Sequence, residues 1–209
     1  MEKQIEVEFI GGLTKESFLE LKSKFENEAT FKKRKERISF MYFRDNIPKD
    51  LSEIKEEDTD LRLRITNKEV EMIVKRGSFT GTHSRIEIPI NFNLEDTQKY
   101  IDFLSSLDWN IGVIYAVETL VYEYNGVEFS LIEIEDYGYN FEAEILTTEE
   151  NEPKARQKIN SILEKLDLHP FDEENLNKQC NEINNREELQ FDFSKQTFSE
   201  IKRRFPKFF

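Results

Sequence analysis

Asp136-Tyr137-Gly138-Tyr139-Asn140-Phe141-Glu142-Ala143-Glu144-Ile145 reads as a glycine turn leading into a strand whose side chains alternate apolar and acidic. Successive side chains of a β-strand point to opposite faces, so Phe141, Ala143 and Ile145 share one face and Glu142 and Glu144 the other. The chain opens on the same pattern, with Ile5, Val7 and Phe9 alternating with Glu6 and Glu8. Two further runs carry basic residues at this spacing: Arg62 and Arg64 among Leu61, Leu63 and Ile65, and Arg85 with Glu87 around Ile86 and Ile88. Each of these strands has one apolar and one charged face. If the charged faces were outside, the apolar faces would form an ordinary core and helices would have little to cover. With the charged faces inside, the apolar faces need helices as cladding.

Suitable helices are present. Thr14 is a good N-cap for a helix over Lys15–Glu28, with Phe18, Leu21 and Phe25 on one stripe. A second fits 94–107, a third 152–166 with Ile159, Ile162 and Leu163. Another follows His169-Pro170, and a last short one covers 198–205. Strands are expected at 3–10, ending at Gly11-Gly12, and at 37–44, 60–66, 69–76, 84–91, 111–117, 119–134 and 140–146. Tight turns fall at Asn67-Lys68 and Asn125-Gly126, and a looser one spans Gly77 to Gly81. About eight mainly antiparallel strands suffice to close a barrel holding side chains or one small ligand. The expectation is an α+β fold: a closed antiparallel eight-stranded barrel with a polar interior, clad by helices. The alternative is an α+β sheet with a solvated charged face. Residues 1–209 read as one domain, with the barrel strands and two inserted helices in 1–150 and C-terminal helices in 151–209.

Bulk properties narrow the function. The 209 residues are 37% hydrophobic and 35% charged, and 18 Phe with 7 Tyr argue against disorder. A net charge of -13 disfavours non-specific binding to nucleic acid or to an anionic membrane, both of which need surplus Lys and Arg. It leaves room for a small anion at a local basic cluster. One cysteine, Cys180, and two histidines disfavour zinc and Cys/His catalysis. No run approaches the ~20 apolar residues of a membrane span, and a cytoplasmic setting is expected. The oligomeric state, monomer or homodimer, is left open by the sequence.

Carboxylates beside guanidiniums suit a divalent cation and a polyphosphate held together. Mg²⁺ and Mn²⁺ take carboxylate, water and phosphate oxygens, and Glu6, Glu8, Glu142 and Glu144 are the metal candidates. Arg62 and Arg64 present two forks able to bridge phosphate oxygens, and Lys75 and Arg85 extend that set from neighbouring strands. Glu87 is either a ligand or a partner that orients an arginine; with Lys75 it makes up the catalytic candidates. Asp58 and Asp60 read as loop ends before a strand, and His83 as an exposed turn residue. The 202–209 tail, with Lys202, Arg203 and Arg204 before Phe205, Phe208 and Phe209, reads as an amphipathic cap over a barrel mouth.

In order along the chain, these landmarks resemble the CYTH superfamily, the triphosphate tunnel metalloenzymes. They are Ile5-Glu6-Val7-Glu8, Met41-Tyr42-Phe43-Arg44, Leu61-Arg62-Leu63-Arg64, Met72-Ile73-Val74-Lys75, Arg85-Ile86-Glu87-Ile88 and 136–144. The resemblance implies an eight-stranded tunnel in which Glu6, Glu8, Glu142 and Glu144 face Mg²⁺ or Mn²⁺, and Arg62, Arg64, Lys75 and Arg85 hold a triphosphate. It implies hydrolysis of a small-molecule triphosphate (inorganic, nucleoside or thiamine), with class IV adenylyl cyclase chemistry or a catalytically impaired binding module as alternatives. Three positions depart from the family pattern: Ile10 stands where it has a lysine, Thr119 where it has a basic residue, and Ile132 where it has an aspartate. Glu133 takes the place of that aspartate only if the register shifts by one.

Overall fold

The computed structural model describes residues 4–54, 59–76 and 86–209. The elements, in chain order, are β1 (Gln4–Leu13), α1 (Lys15–Glu28), β2 (Thr30–Phe43), β3 (Asp60–Thr66), β4 (Glu69–Arg76), β5 (Ile86–Phe92) and α2 (Thr97–Ser105). There follow β6 (Ile111–Tyr124), β7 (Val127–Ile134), β8 (Gly138–Thr148), α3 (Glu152–Lys165), α4 (Glu173–Asn184), β9 (Gln190–Asp192) and α5 (Phe198–Arg204). The strands form an antiparallel sheet in the order β1-β8-β7-β6-β2-β3-β4-β5, with β9 on β6. The α+β class is as expected. The closed ring is not: among the described residues the hydrogen-bonded order is open, beginning at β1 and finishing at β5. Internal contacts group the chain into two compact units, residues 1–35 with 117–172 and residues 36–116 with 173–209.

In the first unit one sheet face is covered by α1 and α3. Phe18, Leu21 and Phe25 of α1 and Ala155, Ile159, Ile162 and Leu163 of α3 join Val7, Tyr122, Phe129, Leu131, Phe141 and Ala143 in one buried cluster. Burying such a side chain contributes about 1.5–3 kcal/mol, so the odd residues of β1, β7 and β8 settle which face meets the helices. Alternation then puts Glu6, Glu8, Glu142 and Glu144 on the other face. The helices therefore clad the apolar side, as the charge pattern required. Thr14 caps α1, its hydroxyl accepting from the Ser17 N–H at 3.1 Å. β1 does not stop at Gly11-Gly12. It continues to Leu13 because the bare Gly11 backbone fits against the Phe141 ring and the His169 carbonyl oxygen, both of which a Cβ would overlap, the oxygen at 2.5 Å.

In the second unit Leu61, Leu63 and Ile65 of β3 pack with Ile38, Phe40 and Tyr42 of β2, all of them buried. Phe191 of β9 lies 5.6 Å from the Phe40 ring and 5.0 Å from Tyr42. Asn67 and Lys68 turn β3 into β4 with φ of 48° and 72°, the left-handed pair that matches hairpin twist. The 205–208 tail folds inward: Phe205 and Phe208 are buried, and the Lys202 ammonium sits over the Phe198 and Phe209 rings. The sequence reading missed β9, and it split the single strand β6 at 117–119.

Candidate functional site

The acidic half of the expected site lies in the first unit. β1 and β8 pair so that Glu8 stands opposite Glu144, and Ile10 opposite Glu142. Carboxylate oxygens of Glu6, Glu8 and Glu144 all lie within 4.8 Å of one another. Glu142 shares their face and is half-buried, but it is not a member of that trio. A fourth acid, unforeseen from the sequence, is Glu128 of β7, the direct cross-strand partner of Glu144. Glu128 has no i, i+2 acidic companion, so only the strand register brings it to the cluster. Burial, then a hydrogen bond with Glu6 and the charges of Glu6, Glu128 and Glu8, push the Glu144 carboxyl up to about 9.

Three converging carboxylates form an all-oxygen donor set, which suits Mg²⁺ or Mn²⁺. On donor chemistry the residues present therefore fit a divalent ion.

The basic half lies in the second unit, on the face of β3 and β4 opposite the apolar core. Arg62 holds Asp60 through two bonds, Nε to Oδ1 at 2.8 Å and Nη2 to Oδ2 at 2.9 Å. Asp60 is the first residue of β3, where the strand expected over 60–66 begins, and is 4% exposed. Arg64 is also buried, with Nη1 3.8 Å from Oε1 of Glu71 on β4. Lys75 is half-buried on β4 and stands opposite both Asp60 on β3 and Glu87 on β5. The arginines therefore pair with carboxylates of their own or the adjacent strand. Burial pushes the Cys180 thiol of α4 up and Arg62 draws it down, which puts α4 within electrostatic reach of that guanidinium. Arg85, Asp58, His83 and the turn from Gly77 to Gly81 lie outside the described residues.

The three family departures now have places. Ile10 lies on the acidic face, two residues beyond Glu8. Thr119 and Ile132 face each other across β6 and β7 in an unshifted register. Glu133 is exposed and its carboxylate accepts from the Tyr139 hydroxyl at 3.4 Å. It points away from the acidic face, so it does not take the place of the aspartate.

No family model and no curated protein matches the chain. Solved structures do. The PH1819 protein from Pyrococcus horikoshii OT3 superposes with a TM-score of 0.62 at 24% identity, covering 85% of this chain and 99% of that one. HpAC1 from Hippeastrum, an adenylyl cyclase candidate described as having a dominant triphosphatase activity, gives 0.58 at 13% identity over 97% and 96%. An adenylate cyclase candidate from Vibrio parahaemolyticus gives 0.55 at 16% identity over 82% and 95%. The chain shares their fold. Among the described residues no helix is long and apolar enough to cross a membrane.

Proposed function

We propose that the protein is a divalent-metal-dependent hydrolase of a triphosphate-containing small molecule: inorganic triphosphate, a nucleoside triphosphate or thiamine triphosphate. The observation that carries this reading is the convergence of Glu6, Glu8 and Glu144 within 4.8 Å on the sheet face opposite the helices. A fold shared with a protein described as having triphosphatase activity supports it.

In this reading Glu6, Glu8 and Glu144 hold Mg²⁺ or Mn²⁺, with Glu128 and Glu142 adding negative charge around them. When bound, the ion neutralises phosphate charge and polarises the phosphoryl group toward attack by water. Arg62, Arg64 and Arg85 donate to phosphate oxygens, as guanidinium forks do. Lys75 offsets the charge that develops on the transferred phosphoryl group, and Glu87 is the second catalytic candidate.

A second reading is a triphosphate-binding module with little turnover. The Thr119–Ile132 pair favours it, because two buried neutral side chains stand where the family pattern has a basic residue and an aspartate. Class IV cyclase chemistry needs the same metal and triphosphate grip, with the 3′-hydroxyl of the nucleotide as nucleophile.

One assay separates these readings. Pure protein is incubated with inorganic triphosphate, ATP and thiamine triphosphate in Mg²⁺ or Mn²⁺, and phosphate, pyrophosphate and cyclic nucleotide are measured. Orthophosphate release that Glu144→Ala and Arg64→Ala both abolish is expected. Cyclic nucleotide with pyrophosphate would replace hydrolysis by cyclisation, and thermal stabilisation by triphosphate without product would leave a binding module.

A further inference from the structure

Asp60 and Arg62 are separated by one residue on β3 and project from the same face. Their two bonds of 2.8 and 2.9 Å form a parallel, side-on pair. The side chains are 3% and 19% exposed. Such a pair within one strand ties no two elements together, so it adds little to the choice of fold. Taking both charges out of water is costly, and pairing them only offsets that cost. The contact between Arg64 and Glu71, by contrast, crosses from β3 to β4.

A guanidinium has five N–H groups in a rigid fork. Asp60 takes the Nε–H and one N–H of Nη2. The end-on edge, one N–H from each Nη, is left with the geometry that bridges two phosphate oxygens.

We propose that Asp60 is a positioning residue for phosphate recognition: by holding the side-on edge of Arg62 it fixes the guanidinium plane, so that the end-on edge meets phosphate oxygens of the substrate. This rests on the triphosphate reading above. The pair has nearly zero net charge, so Arg62 selects its ligand by the direction of its N–H groups more than by attraction at a distance. An arginine held in place loses less side-chain freedom on binding than a free one.

The consequence has a sign that charge alone would reverse. Removing a carboxylate beside an anion site should tighten anion binding on Coulombic grounds. Removing a positioning carboxylate should weaken it.

The test is titration calorimetry of the full chain with inorganic triphosphate in Mg²⁺, for the wild type, Asp60→Asn, Arg62→Lys and the double variant, with melting curves confirming that each is folded. Asp60→Asn is expected to bind about tenfold more weakly, the loss of roughly one charge-assisted bond. Lysine has no fork to orient, so in the Arg62→Lys background the same change should leave binding unchanged or tighter. If Asp60→Asn does not fold, Asp60→Glu is measured instead. A longer carboxylate that still pairs but moves the fork should weaken binding, and wild-type affinity in that variant would overturn the proposal. Unchanged or tighter binding by folded Asp60→Asn overturns this inference alone. A wild type that does not respond to triphosphate overturns the function proposed above, and the inference with it.

Discussion

Thr119 and Ile132 are direct cross-strand partners on β6 and β7, 8% and 5% exposed, on the face that also carries Glu128. The two positions where the resemblance implies a basic residue and an aspartate are therefore adjacent in space, and here they hold a neutral pair. Ile132→Asp alone sets a buried carboxylate on a face that already holds Glu6, Glu8, Glu128, Glu142 and Glu144. It should cost about 3–5 kcal/mol, the penalty of an uncompensated buried charge. Thr119→Lys alone adds a cation among acids and should cost less. Combined, the two should recover about 0.5–3 kcal/mol relative to the sum of the singles. Urea unfolding of the four proteins measures this, and strict additivity would mean that the side chains at 119 and 132 do not meet.

The Glu144 carboxyl sets a pH dependence. Its ordinary value is 4.5 and the fold raises it to about 9, so the folded chain binds this proton more tightly than the unfolded one. The associated stability is fully present below 4.5 and is lost as pH rises toward 9. Glu144→Gln, which keeps the neutral shape, should therefore flatten the fall in melting temperature between neutral and alkaline pH in metal-free buffer. Ligation needs the carboxylate, so Mg²⁺ or Mn²⁺ binding at neutral pH should release up to about one proton. Calorimetry in two buffers of different ionisation enthalpy counts that proton. Metal binding without proton release would place the ion away from Glu144.

Local chemistry made much of this fold legible. α1 runs over the expected residues, Lys15–Glu28, because Thr14 supplies its cap and Phe18, Leu21 and Phe25 its buried stripe. Asn67-Lys68 and Asn125-Gly126 mark their hairpins because each pair adopts positive φ, which asparagine and glycine tolerate. Strict alternation around Glu6, Glu8, Arg62, Arg64, Glu142 and Glu144 gave the charged face. What stayed hidden depends on partners distant in sequence. The first half of β2 has no apolar alternation and pairs through its charges, Lys32 to Glu123 at 2.7 Å and Arg34 to Glu118 at 2.8 Å. β9 is a strand only because three residues, Gln190–Asp192, meet the edge of β6. Glu128 joins the carboxylates, and Glu142 stays outside the trio, through register and side-chain geometry that spacing does not encode.

Tyr42 is 2% exposed, and its hydroxyl is buried without a hydrogen-bond partner among the described residues. Burial also pushes its ionisation far above the ordinary range. A buried polar group left unsatisfied costs about 1–3 kcal/mol. Tyr42→Phe keeps the ring against Phe191 and removes only the oxygen. It should raise stability by about 1 kcal/mol, seen as a higher urea midpoint with an unchanged slope. A lower midpoint would mean that the hydroxyl has a partner, such as an ordered water.

Gly112 tests the packing between β6, β2 and β9. A Cβ at this position would collide with the Met41 carbonyl oxygen of β2 and come within 2.6 Å of the Phe191 ring. The ring can turn only by disturbing Phe40 and Tyr42, both of which it contacts edge-on, and the carbonyl belongs to the backbone of β2. With neither neighbour free to give way, Gly112→Ala forces β6 away from β2 and should cost more than the about 1–3 kcal/mol typical of one added methyl in a full core. The same residue is the register partner of Phe191, so the loss should extend to β9. Hydrogen exchange would show it as reduced protection at Ile111 and Val113, with protection retained at Phe129 and Leu131. Equal loss at all four would mean that the substitution unfolds the chain as a whole.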